Sequence, residues 1–188
     1  MPVSELTEAQ LTRVLAYAGL VLLGFELVKA LIVKPIRAFY AHTTFGAGLP
    51  FKSYAEDVKS RHRDEFEACL LYLRDFMQAV DAADMAAIQA LRQHRNVLAH
   101  DLATHLKSLN VDDYAPLLER ADKALFKLSN YRVYIEIGSD PEFKNKGIDW
   151  NTVVGTEYVL FAQVRNKVRL LQGASASKPH LTTTGRSD

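Results

Sequence analysis

The chain has 188 residues, about the size of one domain, and can bury a core without metal or disulfide cross-links. Its 23 Lys and Arg residues against 22 Asp and Glu give a formal net charge of +1, which excludes a strongly basic nucleic-acid clamp and an acidic tail protein, but not a local basic cleft. The composition is that of an ordinary globular protein, with 48% apolar and 24% charged residues. The single cysteine, Cys69, excludes an internal disulfide and a Cys-based zinc site, and fits a reducing, cytoplasmic compartment.

The N-terminus lacks the pattern of a secretory signal, because the acidic residues Glu5 and Glu8 stand where a positively charged segment would be needed. The uninterrupted apolar run Val14–Phe25 is too short to cross a bilayer, and Glu26 and Lys29 interrupt its continuation. We therefore expect no membrane span, but a helix covered by protein in a bundle or at a subunit interface.

Apolar residues at three- and four-residue steps predict an all-α fold, a single bundle of about five helices in residues 1–173. The first helix is expected over Glu5–Val33, with Ser4 or Thr7 as its N-cap and Pro35 ending or kinking it. The later helices are expected from Ser53 or Tyr54 to about Val80, from Asp84 to about Leu106, over Tyr114–Leu128, and from Asn151 or Thr152 to about Leu171.

Three segments fall outside these helices. The short β-branched segment Val133–Ile137 fits either a strand or an extended linker. Gly138–Asp149 is a polar loop. Residues 174–188 are rich in Ser, Thr and Gly and are expected to form a disordered tail.

The segment Leu91–Leu102, LRQHRNVLAHDL, carries the most specific motif: Asn96 directly follows Arg95, and His100 comes five residues after Arg95. On a helix, the stripe that contains Leu91 and Leu98 also contains Arg95, so its guanidinium needs either an acceptor at a covered interface or a break in the helix. Arg95 and His100 lie about 140° apart on an ideal helix, so one straight helix does not aim both side chains at one atom.

This Arg-Asn-x-x-Ala-His sequence resembles the signature of the HEPN superfamily, helical nucleotide- and RNA-binding domains that include many metal-independent ribonucleases. The resemblance is close over Leu91–Leu102 and covers Met1–Leu171 in helical architecture alone. It implies a HEPN-like bundle and a homodimer in which two copies of the motif meet across a two-fold axis to form a composite cleft. It also implies a reaction without metal or cofactor.

The resemblance implies cleavage of RNA, single-stranded by expectation, through attack of its own 2′-hydroxyl. His100 would be the general base, since its pKa lies near neutrality. Arg95 would neutralise charge on the phosphorane-like transition state. Asn96 would orient His100 or hold a phosphate oxygen. Arg92, one turn before Asn96, is the candidate for additional phosphate binding.

Two neighbouring residues qualify the resemblance. Leu102 stands where family members paired with nucleotidyltransferases have Tyr, so modification of a motif tyrosine is not expected. Asp101 adds a negative charge beside His100, which would raise the pKa of a neighbouring histidine or repel RNA.

Several interpretations remain open. The chain is either a HEPN-type endoribonuclease, as a toxin with an antitoxin partner or a phage-defence effector, or a non-catalytic HEPN-like module that binds RNA, nucleotide or protein. A purely structural helical dimer is a weaker third reading, in which Arg95 and His100 form a buried polar pair that fixes helix packing. His94, Asp101 and His105 share one helix face and could hold zinc or iron, although an amphipathic face is the simpler interpretation.

Overall fold

The structure, a computed structural model, describes residues 6–46, 48–106, 108–138, 140–143 and 146–176. These residues form six helices without a strand, which confirms the predicted all-α bundle. The helices are α1 (Glu8–His42), α2 (Tyr54–Asp57), α3 (Glu65–Asp75), α4 (Ala82–His105), α5 (Ala115–Ile137) and α6 (Thr156–Ala176). Two 3₁₀ turns, Lys59–Arg61 and Val111–Tyr114, precede α3 and α5 respectively.

Helix α1 is the centre of the bundle and packs against α3, α4, α5 and α6. By length and composition it could cross a membrane, since an 18-residue window has a mean hydropathy of 1.9, but 56% of that window is buried inside the bundle. This burial is compatible with the core helix of a soluble protein. The covering is incomplete, because Leu15 remains 48% exposed.

Both ends of α1 differ from the predicted ends, since the helix spans Glu8–His42 rather than Glu5–Val33. Thr7 is the N-cap: its hydroxyl accepts from the backbone N–H of Gln10, and the Gln10 side chain accepts from the backbone N–H of Thr7, which completes a capping box. Ser4 lies outside the described residues. The expected end near Val33 is wrong, since the helix continues through Pro35 to His42. Proline removes one backbone hydrogen bond there, and the helix on either side of it carries the buried core residues Ile32 and Ile36.

The second predicted helix is divided. Asp64 caps α3 by accepting from the backbone N–H of Glu67, so a new helix begins there rather than continuing from Tyr54. Helix α4 is capped by Asp81, and Asp84 is the third residue of its capping box rather than the cap.

The expected strand or extended segment at Val133–Ile137 is wrong, because α5 continues through it. The ion pair of Arg132 with Glu136, four residues apart, supports the helix there, and tertiary context overrides the β-branched propensity. Helix α6 begins at Thr156, later than predicted, and is described as far as Ala176. The rest of the predicted tail lies outside the described residues.

Helices α1 and α6 approach closely at a glycine. A Cβ atom built on Gly24 would lie 2.9 Å from Cε2 of the buried Phe161 ring, whereas one on Gly19 would meet nothing within 4 Å. Gly24 is buried and Gly19 is exposed on the same helix. The absence of a side chain at Gly24 is therefore what allows Phe161 to pack against the α1 backbone.

We predict that alanine changes the free energy of unfolding differently at these two glycines. Gly19→Ala should stabilise the protein by up to about 1 kcal/mol through helix propensity. Gly24→Ala gains the same propensity but displaces Phe161, and should be less stable than Gly19→Ala by about 1–3 kcal/mol. Urea unfolding of the two variants measures the difference, and equal stabilities would contradict the close packing.

A buried polar cluster joins α1 to α4. The hydroxyl of Tyr17 lies 2.8 Å from Nε2 of His94, and the His94 ring stacks on Tyr114 with a centroid separation of 4.0 Å. Tyr17 is fully buried and His94 nearly so. Burial lowers the pKa of His94 below its ordinary value.

This burial predicts acid sensitivity. The unfolded chain protonates His94 near its ordinary pKa of about 6.5 while the folded protein does not, so stability is lost as the pH falls below that value, by at most about 1.4 kcal/mol per pH unit. His94→Gln retains a hydrogen-bonding group for Tyr17 but does not titrate. Unfolding free energies at pH 7.5 and 5.5 should therefore fall less in His94→Gln than in the wild type, and parallel losses would contradict the assignment.

Candidate functional site

An open groove of about 730 Å³ runs between α1, the start of α3 and the middle of α4. It contains three of the four predicted site residues, Arg92, Arg95 and Asn96. The other lining residues come from α1 and α3: Phe25, Glu26, Lys29, Ala30, Val33, Lys34, Arg37, Asp64, Glu65 and Phe66. Of all its lining residues, Arg92, Arg95 and Asn96 included, five are basic and three are acidic, so we call it the basic groove.

Arg95 has the acceptor that its place in an apolar stripe requires. Its Nη2 donates to Oε1 of Glu26 on α1 at 3.0 Å, and its Nη1 donates to Oδ1 of Asn96 at 3.3 Å. The guanidinium also lies over the Phe25 ring, 5.4 Å from the centroid. Its side chain is 30% exposed. Glu26, the charged residue that follows the apolar run of α1, is therefore the ion-pair partner of Arg95.

Arg92 is held more firmly than Arg95. Its guanidinium pairs with the Glu67 carboxylate and with Oδ2 of Asp64, the latter at 3.2 Å, and it covers the Phe66 ring. The Glu67 side chain is only 19% exposed. Arg92 therefore connects α4 to the first turn of α3, and each of its two terminal nitrogens already donates to a carboxylate.

Arg37 closes the far end of the basic groove. Its Nε donates to Oε1 of Glu65 at 2.7 Å, and Tyr54 donates to the same carboxylate oxygen at 2.7 Å. Hydrogen bonds from Arg37 and Tyr54 lower the pKa of Glu65 below its ordinary value, so the pair stays ionised at neutral pH.

The lysines of the basic groove differ from its arginines. Lys29 and Lys34 are exposed, and neither has an ion pair within the described part of the chain. The groove residues carry a net charge of +2, while the whole chain carries only +1. Lys29 and Lys34 are therefore the groove cations that carry no ion pair among the described residues.

His100 lies outside the basic groove. It is exposed on the next turns of α4 and is not among the groove-lining residues. The helix is kinked at Asp101, where φ is −125° and ψ is 20°. The kink follows His100 rather than separating it from Arg95, so the two motif residues keep the angle of about 140° that a straight helix gives them.

The alternative metal site does not form from His94 and Asp101. His94 faces the core against Tyr17, while Asp101 is exposed. The His105 side chain lies outside the described residues, and no group of three potential metal ligands occurs among the side chains that are described.

A second groove, of about 460 Å³, lies between α1, α3 and α5 and is mainly apolar. Its only charged lining residues, Arg132 and Glu136, form an ion pair with each other. It therefore offers no unpaired cation for phosphate, unlike the basic groove.

Comparisons with known proteins identify no relative. No family model matches the sequence, no curated protein matches it, and no solved structure matches the fold. The resemblance of the Arg95–His100 motif to the HEPN superfamily therefore stays a prediction.

Arg95 and Arg92 are held by different ion pairs, so we predict different losses of unfolding free energy when each set of ion pairs is broken. Glu26→Gln removes an exposed ion pair and should change the unfolding free energy by less than about 1 kcal/mol. Arg92→Gln leaves the half-buried carboxylates of Asp64 and Glu67 without their cation, and should destabilise by about 1–3 kcal/mol. Chemical unfolding distinguishes them, and a neutral Arg92→Gln would indicate that Arg92 is free for a ligand.

Proposed function

We propose that the protein is a metal-independent endoribonuclease of the HEPN type, acting on single-stranded RNA. The observation that carries the proposal is that Arg95 and Asn96 of the motif line an open groove with an excess of basic residues. A phosphodiester is the common ligand that such a groove attracts, since arginine provides two parallel donors to phosphate oxygens.

The proposed reaction transfers one proton and exchanges one bond at phosphorus. His100 removes the proton from the 2′-hydroxyl, the 2′-oxygen attacks phosphorus, and the bond from phosphorus to the 5′-oxygen breaks. Arg95 neutralises the negative charge of the transition state, and Asn96 holds a phosphate oxygen or orients the base. The leaving 5′-oxygen takes a proton from the protonated His100 or from water, which gives a 2′,3′-cyclic phosphate and a 5′-hydroxyl.

The proposed active form is a symmetric homodimer. Because Arg95 lines the basic groove and His100 is not among its lining residues, a second copy of the chain is the proposed source of the histidine for each groove. Val97, between the two motif residues in sequence, is 44% exposed and offers apolar surface to such a partner.

The second candidate is a HEPN-like module that binds RNA, nucleotide or protein without cutting RNA. It is favoured by the ion pairs of Arg92 and Arg95 with internal carboxylates and by the position of His100 outside the groove. Both candidates use the same groove, and they differ in whether His100 reaches the phosphate.

In the cell, the enzyme would act in the cytoplasm as a toxin restrained by an antitoxin protein or as an antiviral defence effector. The buried thiol of Cys69 and the mostly buried α1 support a reducing, non-membrane setting. No metal ion or cofactor takes part in the proposed reaction.

The decisive test is cleavage of a defined single-stranded RNA in EDTA. Arg95→Ala and His100→Ala should each reduce the rate at least about 100-fold, as expected for loss of a charge-stabilising group or a general base. Arg120→Ala and His42→Ala remove the same residue types elsewhere on the surface and should cut normally. Wild-type products should carry 2′,3′-cyclic phosphate ends.

Mixing the two inactive variants tests the composite site. A dimer of one Arg95→Ala and one His100→Ala chain regenerates one intact site, so the mixture should recover roughly a quarter of the wild-type rate after subunit exchange. No recovery from exchanged dimers would place arginine and histidine in one chain. RNA binding without cleavage by folded wild-type dimers would favour the binding module.

A further inference from the structure

We propose that α1 provides a phosphate track, formed by Lys29 and Lys34, which holds the backbone of a single RNA strand along the basic groove. This proposal rests on the proposed function in its choice of ligand, but it concerns residues outside the motif. It assigns binding to the helix that faces α4 across the groove.

The two lysines of the phosphate track are spread along the helix. They are separated by about 7.5 Å of helix axis, from the rise of 1.5 Å per residue. Successive phosphates of a nucleic-acid strand lie as little as about 3.4 Å apart along the axis of a duplex. The two lysines can therefore contact different phosphates of one strand.

The angular arrangement leaves a channel between the lysines. Glu26, Ala30, Val33 and Arg37 lie within about 60° of one another around α1. Lys29 lies about 60° to one side of Glu26, and Lys34 about 80° to the other. Ala30 and Val33 between them are uncharged, and the charges of Glu26 and Arg37 in the same sector are paired with Arg95 and Glu65, so the lysines are the unpaired charges beside the channel.

The aromatic rings of the groove are not open to bases. Phe25 and Phe66 are 6% and 7% exposed, and the Arg95 and Arg92 guanidiniums cover them. These rings therefore cannot stack on RNA bases, which is the usual contact of aromatic residues in RNA-binding proteins. The phosphate track would bind phosphate charge with little dependence on base sequence.

The test is the salt dependence of binding to a labelled 2′-O-methyl RNA 12-mer, which cannot be cleaved by its own 2′-oxygen. For single strands, each phosphate neutralised contributes about 0.7 to the slope of log K against log salt concentration. Lys29→Gln/Lys34→Gln should lower the magnitude of that slope by about 1.4 and weaken binding of two oligomers of unrelated sequence by the same factor.

The matched control is Lys52→Gln/Lys123→Gln, which removes the same charge from residues outside the basic groove and should bind as the wild type does. Equal loss in both double variants, or no binding by the wild type at low salt, would overturn the track. Because the oligomer is not cleavable, binding through the lysines with no cleavage of ordinary RNA would retain the track and reject the nuclease. Cleavage that is insensitive to the lysines would do the reverse.

Discussion

The structure depends on the need to cover α1. A 35-residue helix with this hydropathy cannot stay folded alone in water, and every longer helix of the bundle packs against it. The charged positions of α1 are therefore confined to the few places where another helix supplies a partner or where water reaches the surface. Glu26 meets Arg95 at one of these places, and Lys29 and Lys34 face the opening beside it. The basic groove is thus a consequence of how an apolar helix accommodates its charges.

The basic groove contains two kinds of cation: arginines that form ion pairs and lysines that form none among the described residues. The arginines bridge helices, because a guanidinium binds a carboxylate with two donors and stacks on an aromatic ring at the same time. They hold α4 in place against α1 and α3, at the cost of being occupied. The lysines form no ion pair among the described residues. The groove therefore presents two unpaired cations beside three paired ones.

Sequence periodicity was sufficient for the fold class and for most of the helices, since apolar residues at helical spacing have few other solutions. It failed where local polar contacts compete with that pattern. Asp64 ends one helix and starts another by capping, and α5 keeps a β-branched segment helical through tertiary packing. The motif residues were visible in sequence because they are adjacent. Glu26, Lys29 and Arg37 were not visible as groove residues, since they lie more than 50 residues away from Arg92 and meet it only through packing.

The hydrogen bond between Tyr17 and His94 marks the face of α4 that is turned toward the core. His94 is anchored in the core, and its neighbour Arg95 is turned about 100° from it, toward the basic groove. The same anchoring turns His100, six residues after His94, about 240° from the anchor, which is about 40° beyond the groove-lining Asn96. A buried histidine outside the basic groove thus belongs, with Leu91 and Leu98, to the core face that sets the directions in which the motif side chains leave α4.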